Sequence, residues 1–451
     1  MCGIAGAIGV ENASSVVRTM LHRLQHRGQE AVGIVSIHEN KAHKLHVLGK
    51  TVISISDTEL ANLPGNIAVG HNRYATTGNS RQVESIQPFV MTLEKSPMVM
   101  AHNGNFTNIT NLEATELSGT PFSSDSDTER FFRLMMREER SGNAVEDNII
   151  ATLQKMKGSC SALHAQPGHL IAIRDSTGNR PLYWALYKEG FVVASETCAF
   201  QALGIQAFHE VPIGTIVTMH LNGQAALKKF GRDNPHKCFF EPTYLASPGS
   251  EVYGIDVAEF RVACGQALAL EHPVHNADYI VGIPDSSSVY ATGYAEKNTA
   301  GRLRSYTIMR NHSTRSFIEG DKASQLRTVD RKFTFHPASI KGKVLVLIDD
   351  SIVRGTTSQA LTESLRAFGA KEIHWRIGSP PVTGPCHYGI ATKTGELLAT
   401  KMDNQEMAKF IGADSLEFLS MAGLKKVIAE QGASPKDFCF ACIDGKYWDL
   451  T

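Results

Sequence analysis

The sequence predicts two folds in succession, an α+β half followed by an α/β half with a parallel sheet. In the first half, a stretch at 14–25 has apolar residues at helical spacing, and short apolar runs alternate with turns at 2–10, 67–70, 98–101, 170–173 and 191–194. The stretch 231–250 is rich in Gly, Pro, Asn and Ser, which favours a connection. Beyond it, predicted strands at 278–283, 344–348 and 372–377 alternate with predicted helices at 288–297 and 357–368. Such alternation is typical of a parallel sheet with crossover helices, and we expect one domain at 2–235 and a second at 236–451.

The composition is ordinary for a soluble globular protein, with 42% hydrophobic and 20% charged residues in 451. Lys plus Arg and Asp plus Glu both number 45, and this zero formal charge argues against non-specific nucleic-acid binding. The sequence has neither an apolar run long enough for a membrane span nor the pattern of a signal peptide. We therefore expect a cytoplasmic protein with no nucleic-acid or membrane partner, whose eight cysteines form no disulfide framework.

The clearest functional motif is the run 344–358, VLVLIDDSIVRGTTS, in which a predicted strand ends at Asp349 and Asp350. The loop then offers Ser351, Arg354, Gly355, Thr356, Thr357 and Ser358 before a predicted helix. Backbone N–H groups at a helix N-terminus and small hydroxyl side chains suit a phosphate, and paired carboxylates suit ribose hydroxyls or a hydrated Mg²⁺. A capping turn is the simpler interpretation of an isolated Asp-Asp pair, but it leaves the rest of the run unexplained.

This run resembles the signature loop of type I phosphoribosyltransferases, which bind 5-phosphoribosyl-1-diphosphate (PRPP). A second segment, GIPDSSS at 282–288, follows a predicted strand and opens a predicted helix, as the pyrophosphate loop does in that family. The resemblance implies that PRPP is bound by Asp349, Asp350, Ser351, Arg354, Gly355, Thr356, Thr357 and Ser358, together with Arg315. It also implies that Ser286, Asp349 and Asp350 lie at a Mg²⁺ ion.

Cys2 is the candidate nucleophile of the first half. Removal of Met1 would leave a free α-amino group beside the thiol, and that amine can act as the general base. A cysteine at position 2 is, taken alone, more readily a small buried residue. Four further segments resemble class II glutamine amidotransferases in the family's order, at 26–30 (HRGQE), 71–76 (HNRYAT), 101–105 (AHNGN) and 126–129 (SDTE).

This second resemblance implies an N-terminal-nucleophile fold with four αββα layers and assigns roles to individual residues. Arg73 would bind the α-carboxylate of glutamine and Asp127 its α-ammonium group. The Asn103 side chain and the Gly104 backbone N–H would form the oxyanion hole for the tetrahedral intermediate. Singly, Arg73 or Asp127 would more often be a solvated surface charge.

The two halves together resemble the glutamine phosphoribosylpyrophosphate amidotransferase family, over nearly the whole chain. The resemblance implies that Cys2 releases ammonia from glutamine and that ammonia displaces pyrophosphate from PRPP, giving 5-phosphoribosylamine in the first step of purine biosynthesis. It further implies a homotetramer inhibited by purine nucleotides. Because ammonia must be kept from water, we expect a channel between the two sites, although no residue pattern reveals one.

Four cysteines of the second half form a candidate metal-binding set, namely Cys238, Cys386, Cys439 and Cys442. The C-x-x-C spacing of the last two suits chelation, but the residues alone do not separate zinc from a [4Fe–4S] cluster or from a redox pair. Their contexts, CFFE, PCHYG and FCFACIDGKY, resemble the iron–sulfur branch of the family, which implies a structural [4Fe–4S] cluster. We expect Cys160, Cys198 and Cys264 to be core thiols.

One loop departs from the family pattern. The stretch 309–318 keeps Arg315, but Thr314 stands where the family has Gly, and Asp321 and Asp330 follow in the loop that normally closes over PRPP. Extra carboxylates oppose a polyphosphate anion. Two alternatives therefore stay open: an amidotransferase that delivers ammonia to another phosphorylated sugar, and a non-catalytic regulator that senses PRPP or nucleotides. The complete set of Cys2, Arg73, Asn103 and Asp127 argues against the regulator.

Overall fold

The computed structural model of the chain describes residues 2–74, 83–139, 144–311, 332–392 and 394–450. In the first half, two antiparallel sheets pack face to face. The strands of the first sheet are β1 (Gly3–Ile8), β2 (Ala31–His38), β3 (Lys41–Leu48), β4 (Ile67–Arg73), β9 (Tyr183–Tyr187), β10 (Gly190–Ala194) and β11 (His209–Glu210). Those of the second are β5 (Phe89–Leu93), β6 (Ser96–Phe106), β7 (Gly158–Gln166), β8 (His169–Arg174), β12 (Thr215–His220) and β13 (Ala225–Lys229). The orders are β11-β9-β10-β1-β4-β2-β3 and β13-β12-β8-β7-β6-β5, so β1 is central in its sheet.

Helices cover the outer faces of both sheets. The period-two alternation of β1 sends Ile4 and Ile8 into the core between the sheets, and Ala5 and Ala7 against helix α1 (Ala13–Arg23). The outer face of the second sheet packs on α5 (Asp127–Glu139) and α6 (Val145–Lys155). Shorter helices are α2 (Thr51–Ser54), α3 (Asp57–Leu60), α4 (Ile109–Thr115) and α7 (Cys198–Gln201). The αββα layering implied by the resemblance is confirmed.

The second half is built on a five-stranded parallel sheet with helices on both faces. Its strands are β17 (Tyr279–Gly282), β18 (Arg302–Leu303), β21 (Val344–Asp349), β22 (Glu372–Ile377) and β23 (Ser415–Phe418), in the order β18-β17-β21-β22-β23. One face packs on α8 (Val257–Glu271), α9 (Ser288–Lys297) and α12 (Met421–Glu430), and the other on α10 (Thr356–Ala367) and α11 (Asn404–Ile411). The predicted α/β architecture is therefore confirmed.

Short elements complete the second half. They are the antiparallel pairs β15 (Glu251–Val252) with β16 (Ile255–Asp256) and β19 (Ile308–Arg310) with β20 (Phe333–Phe335), the parallel pair β14 (Lys237–Cys238) with β24 (Phe438–Cys439), and helix α13 (Ala441–Asp444). The last strand of the antiparallel sheets ends at Lys229 and α8 begins at Val257, so the predicted boundary near 235 falls between them. No helix within the described residues is both long and apolar enough to cross a membrane.

The predicted elements agree with the observed ones to within one or two residues, except at β4, which was predicted at 67–70 and extends to Arg73, and at β6. The apolar run predicted a strand at 98–101, whereas β6 extends to Phe106. The apolar pattern stops at His102 because the strand continues with polar residues, and both His102 and Asn103 are nevertheless buried. The chain places polar side chains inside the protein at this point, and they belong to the candidate active site.

Candidate active site

Cys2 lies directly before the central strand β1, which fixes its position from three sides. Its backbone nitrogen, the atom that becomes the α-amino group when Met1 is removed, lies 3.3 Å from Oδ1 of Asn103. Its carbonyl oxygen accepts a hydrogen bond of 3.0 Å from Nε of Arg27. Its sulfur is partly exposed and lies 3.7 Å from the carbonyl oxygen of Tyr74. The thiol is therefore held in place yet accessible, as a nucleophile must be.

Asn103 has a side-chain donor with no partner. Its Oδ1 faces the backbone N–H of Cys2, so Nδ2 is turned away, and no acceptor for this buried nitrogen lies among the described residues. An unsatisfied buried donor costs roughly 1–3 kcal/mol and calls for a functional explanation. Donation to an oxyanion supplies one.

Gly104 cannot carry a side chain. Its φ is +135°, and an added Cβ would lie 2.1 Å from the carbonyl oxygen of Ser159 on the neighbouring strand β7. The backbone of β6 therefore approaches both β7 and the adjoining cavity closely at this residue.

Four of the five glutaminase candidates converge on one cavity, and Asn103 is not among its lining residues. Cys2, Arg73, Gly104 and Asp127 line it, although they are far apart in the sequence. The remaining lining residues are His71, Tyr74, Ser85, Gln87, His102, Asp125 and Ser126. A guanidinium and a carboxylate beside one thiol match the two charged ends of a free α-amino acid.

His102 is a site residue that was recognised in the sequence as part of the segment 101–105 but received no role there. Its Nδ1 lies 3.8 Å from Oδ1 of Asp127 and 3.2 Å from Oγ1 of Thr128, and its Nε2 donates to the carbonyl oxygen of Ser159 at 3.2 Å. Burial lowers the pKa of His102, but the Asp127 charge and the hydrogen bonds to Asp127 and the Ser159 carbonyl together outweigh it, and the net pKa is raised. Burial likewise raises the pKa of Asp127, but the His102 charge and hydrogen bonds from His102 and the Phe106 N–H leave it lowered. Each group stabilises the charged form of the other.

His71 lines the same cavity and is held neutral. Burial, with the nearby charges of Arg73 and His102, lowers the pKa of His71 to about 3. The positive charge of Arg73 is therefore not joined by a second one at His71 near neutral pH.

Arg27 belongs to a buried network of charged side chains that joins the two halves. No role was assigned to these residues from the sequence. Its guanidinium donates to Glu196 at 2.5 Å and to both oxygens of Glu241 at 2.9 Å, and Arg180 donates to Glu241 at 3.1 Å. All four side chains are fully buried. Burial raises the pKa of Glu196, but His26 and Arg27 outweigh it, so the net pKa is lowered.

The PRPP candidates gather at the carboxyl ends of β17 and β21, which are neighbours in the parallel sheet. Oγ of Ser286 donates to Oδ1 of Asp350 at 2.6 Å, and Oγ of Ser287 donates to Oδ1 of Asp349 at 2.6 Å. Burial and the neighbouring Asp350 carboxylate raise the pKa of Asp349. Two close carboxylates with two hydroxyls form a set of oxygen ligands suited to a divalent cation.

Some of the loop residues after Asp350 are exposed to solvent and others are buried. Ser351 donates to Oδ2 of Asp350 at 2.7 Å. Gly355 precedes α10 with φ +72°, and Thr356 and Thr357 are exposed in its first turn, whereas Ser358 is buried. Arg354 is exposed and paired with Glu396. Arg315, Thr314, Asp321 and Asp330 lie outside the described residues.

The four candidate cysteines meet in one buried cavity, which they line together with Arg180 and Tyr388. The parallel pairing of β14 and β24 sets Cys238 opposite Cys439. All four are free thiols, and Tyr388 N–H donates to the sulfur of Cys386 at 3.4 Å. Burial raises the pKa of Cys238 to about 11, although the adjacent Arg180 charge opposes this.

The spacing of these sulfurs is wide. Among the described residues they form no group of three whose sulfur atoms all lie within 4.8 Å of one another. Four thiolates around one zinc ion, at Zn–S distances of about 2.3 Å, would lie roughly 3.8 Å apart. His26, Glu196 and Cys198 do form such a close group, but Glu196 is already bonded to the guanidinium of Arg27. The three cysteines expected to be core thiols, Cys160, Cys198 and Cys264, are all buried.

A further cavity is lined by residues of both halves and reaches the PRPP candidate Ser286. Its walls include His26 and Gln29 from the first half and Ser286 and Arg310 from the second. Tyr244, also in the wall, has its pKa raised to about 12 by burial and by Asp350, Tyr74 and Asp349. Tyr74 is one of the residues around the Cys2 cavity, so Tyr244 is within electrostatic range of residues of both sites.

Comparisons with known proteins agree with this architecture. Residues 71–202 match the family model described as a glutamine amidotransferase domain. The chain is 38% identical to the chloroplastic amidophosphoribosyltransferase of Vigna aconitifolia, over 99% of this chain and 91% of that protein. It is also 38% identical to the amidophosphoribosyltransferase of Bacillus subtilis, over 99% of this chain and 94% of that protein.

Solved structures agree over the full length. The B. subtilis glutamine PRPP amidotransferase in complex with ADP and GMP superposes with a TM-score of 0.90 at 37% identity, covering 99% of this chain and 97% of that one. A structure described as the allosteric regulatory enzyme of purine biosynthesis superposes with a TM-score of 0.91 at 36% identity, covering 100% and 98%. The chain therefore belongs to the amidophosphoribosyltransferase family, the glutamine-dependent enzymes of the first step of purine biosynthesis.

Proposed function

We propose that this chain transfers the amide nitrogen of glutamine to PRPP, giving 5-phosphoribosylamine, glutamate and pyrophosphate, with the two half-reactions at its two candidate sites. The observation that carries the proposal is the convergence of Cys2, Arg73, Gly104 and Asp127 on one cavity. We assign the glutaminase to a domain at 2–235 and the transferase to a domain at 236–451.

The first half-reaction begins with glutamine held by its two charged ends. Arg73 binds the α-carboxylate and Asp127 the α-ammonium, which brings the side-chain amide to the sulfur of Cys2. The α-amino group of Cys2 takes the thiol proton, and the thiolate attacks the amide carbon. Asn103 Nδ2 and the Gly104 N–H donate to the oxyanion, and one such donor contributes about 3–4 kcal/mol in acyl-transfer enzymes. The amide nitrogen leaves as ammonia after accepting the proton, and water then hydrolyses the thioester.

The second half-reaction takes place at the ends of β17 and β21. Thr356, Thr357 and backbone N–H groups at the start of α10 bind the 5-phosphate, with Ser351, Arg354, Gly355 and Ser358 completing the loop. Arg315 is a further proposed PRPP-binding residue. Asp349, Asp350 and Ser286 would hold Mg²⁺, which neutralises charge that develops on the departing pyrophosphate. Ammonia released at Cys2 must reach C1 of PRPP, and the cavity that is lined by both halves is our candidate for the PRPP end of that route.

We propose that Cys238, Cys386, Cys439 and Cys442 hold a [4Fe–4S] cluster with a structural role. The wide sulfur spacing supports this over zinc, because a cluster gives each thiolate an iron at its own corner. Eight free cysteines also support a reducing compartment, and we place the enzyme in the cytoplasm. Anaerobically purified protein should contain roughly four iron and four sulfide per chain and absorb visible light; stoichiometric zinc without sulfide would contradict the cluster.

We further propose that the enzyme is a homotetramer inhibited by purine nucleotides. A relative's structure carries ADP and GMP, which supports nucleotide binding. Inhibition of turnover by AMP or GMP, and the mass of the native particle in light scattering, test these two points separately.

The decisive experiment compares two nitrogen sources. Protein purified without oxygen is assayed for glutamate release with and without PRPP, while 5-phosphoribosylamine is trapped. Cys2→Ser should abolish turnover with glutamine and keep turnover with ammonia. Cys264→Ser, the same change at a buried thiol of α8, should keep both. Glutaminase activity without any phosphoribosylamine would favour another phosphorylated sugar as acceptor, and loss of ammonia-dependent turnover in Cys2→Ser would contradict the two-site scheme.

A further inference from the structure

A turn at residues 386–389 joins the four-cysteine cavity to the strand that forms the oxyanion hole. Cys386 begins the turn, and its sulfur accepts the hydrogen bond from Tyr388 N–H at 3.4 Å. Three residues later, Gly389 lies against Gly104 of β6. The two candidate centres, which come from opposite halves of the chain, are thus separated by one short turn.

The backbones of Gly389 and Gly104 lie so close together that a side chain at Gly389 would be crowded against Gly104. A Cβ added to Gly389, whose φ is +118°, would lie 3.0 Å from the carbonyl oxygen and 3.1 Å from the carbonyl carbon of Gly104. Next to it, Asn105 Nδ2 donates to the carbonyl oxygen of His387 at 2.8 Å. The turn therefore touches the peptide that follows the oxyanion donor and is hydrogen-bonded to the residue after it.

The carbonyl oxygen of Tyr388 holds the turn to the rest of the glutaminase. It accepts hydrogen bonds from Ser159 Oγ at 2.8 Å and from Nη2 and Nε of Arg180 at 2.8 and 3.2 Å. Arg180 also bonds to Glu241, which bonds to Arg27, whose Nε donates to the carbonyl oxygen of Cys2. A second chain of contacts thus runs from the turn to the nucleophile, through fully buried charges.

The C-terminal segment also contacts this junction, by which we mean the turn at 386–389 and its contacts with β6. Trp448 stacks on the Tyr388 ring with 3.4 Å between centroids. Asp449 accepts a hydrogen bond from the Tyr388 hydroxyl at 2.5 Å and one from the Thr107 hydroxyl, just beyond β6, at 2.6 Å. Tyr388 is therefore held between the cysteine site and the end of the oxyanion strand.

We propose that the turn at 386–389 positions the oxyanion hole and couples it energetically to occupancy of the four-cysteine site. This inference rests on the proposed glutaminase and cluster, and it assigns Asn105, Arg180, Tyr388 and Gly389 as positioning residues. A ligated Cys386 fixes the start of the turn, and the turn fixes Gly104. Because oxyanion donors act only over narrow distances, a small displacement of the turn weakens catalysis at Cys2.

The first test breaks the junction without touching a cysteine. Gly389→Ala and Asn105→Ala should keep iron and sulfide content and ammonia-dependent turnover, while glutaminase kcat falls about tenfold or more with little change in KM for glutamine. Gly432→Ala (φ +82°, open space) and Asn222→Ala (exposed) are matched controls and should keep wild-type kcat. Wild-type glutaminase kcat in both junction variants would overturn the proposal.

The second test asks whether a ligand at Cys2 protects the cluster from oxygen. A diazoketone analogue of glutamine alkylates Cys2, and the visible absorption of the cluster is then followed in air. Alkylation should slow bleaching several-fold in the parent enzyme, leave Cys2→Ser unaffected, and lose its effect in Asn105→Ala. Equal bleaching rates in free and alkylated parent enzyme would overturn the coupling. Protein without iron and sulfide would instead refute the cluster, so the two failures are distinguishable.

Discussion

The side-chain oxygen of Asn103 lies 3.3 Å from the backbone nitrogen of Cys2, which leaves Nδ2 of the same amide without an acceptor among the described residues. One side chain thus orients the candidate general base and supplies an oxyanion donor. The two functions fix each other, because the amide cannot present its oxygen to Cys2 without turning its nitrogen away.

Asn103→Ala removes both functions of this amide. Glutaminase kcat should fall by about 10²–10³, the effect of removing one oxyanion donor, while ammonia-dependent synthesis of phosphoribosylamine stays at the wild-type rate. Steady-state kinetics with the two nitrogen sources measures both. An equal fall in the two rates would show instead that Asn103→Ala disturbs the fold of the whole enzyme.

His102→Gln tests the pair formed with Asp127, through the pH dependence of stability. The pKa of His102 is raised from 6.5, so its stabilising contribution is complete below 6.5 and is lost as pH rises through the folded-state pKa. The pKa of Asp127 is lowered from 3.8, so its contribution is present above 3.8 and is lost as pH falls through the folded-state pKa. The stability loss in His102→Gln should therefore be largest between about pH 4 and 6.5 and decrease toward pH 9. Urea unfolding across this range measures it, and a pH-independent loss would contradict an ionised pair.

Glu241→Gln tests the buried network that spans the two halves. Glu241 is fully buried between Arg27 and Arg180, and removing its charge leaves Arg27 with Glu196 alone and Arg180 without a carboxylate partner in the network. The free energy of unfolding should fall by about 3–5 kcal/mol. Asp233→Asn, in an exposed pair with Lys229, should change it by less than about 1 kcal/mol. Similar losses of unfolding free energy in both variants would show that burial does not determine how much these ion pairs stabilise the protein.

Asp350→Asn should have the opposite effect to Cys2→Ser, because it changes the acceptor site and leaves the glutaminase site intact. Asp350 lies among Ser286, Ser287 and Ser351, in the proposed Mg²⁺ and PRPP site. Synthesis of phosphoribosylamine should be lost with glutamine and with ammonia alike, whereas basal glutamate release in the absence of PRPP is kept. Retained synthesis with ammonia would place the acceptor site elsewhere.

Local sequence patterns were sufficient to predict most helices and strands. They were also sufficient to recognise functional residues that lie together in one motif. Helix 288–297 and strand 372–377 were predicted with their observed bounds, because period and flanking turns are local properties. The carboxylates after β21 could be recognised because strand, loop and helix follow one another along the chain. The strand β6 was predicted too short, because its buried polar residues serve the site rather than the core pattern.

The sequence by itself determined the fold classes of both halves and the phosphate loop, since each depends on neighbouring residues. It also identified Cys2 as the candidate nucleophile, through the resemblance of four further segments. Only the tertiary structure decided which distant residues meet. The buried charges of Arg27, Glu196, Glu241 and Arg180 are paired across separations that no local pattern encodes. The wide spacing of four sulfurs and the contact of Gly389 with Gly104 likewise arise where separate elements pack together. Long-range packing sets these distances, and for that reason it decided how the cysteine site and the oxyanion strand are joined.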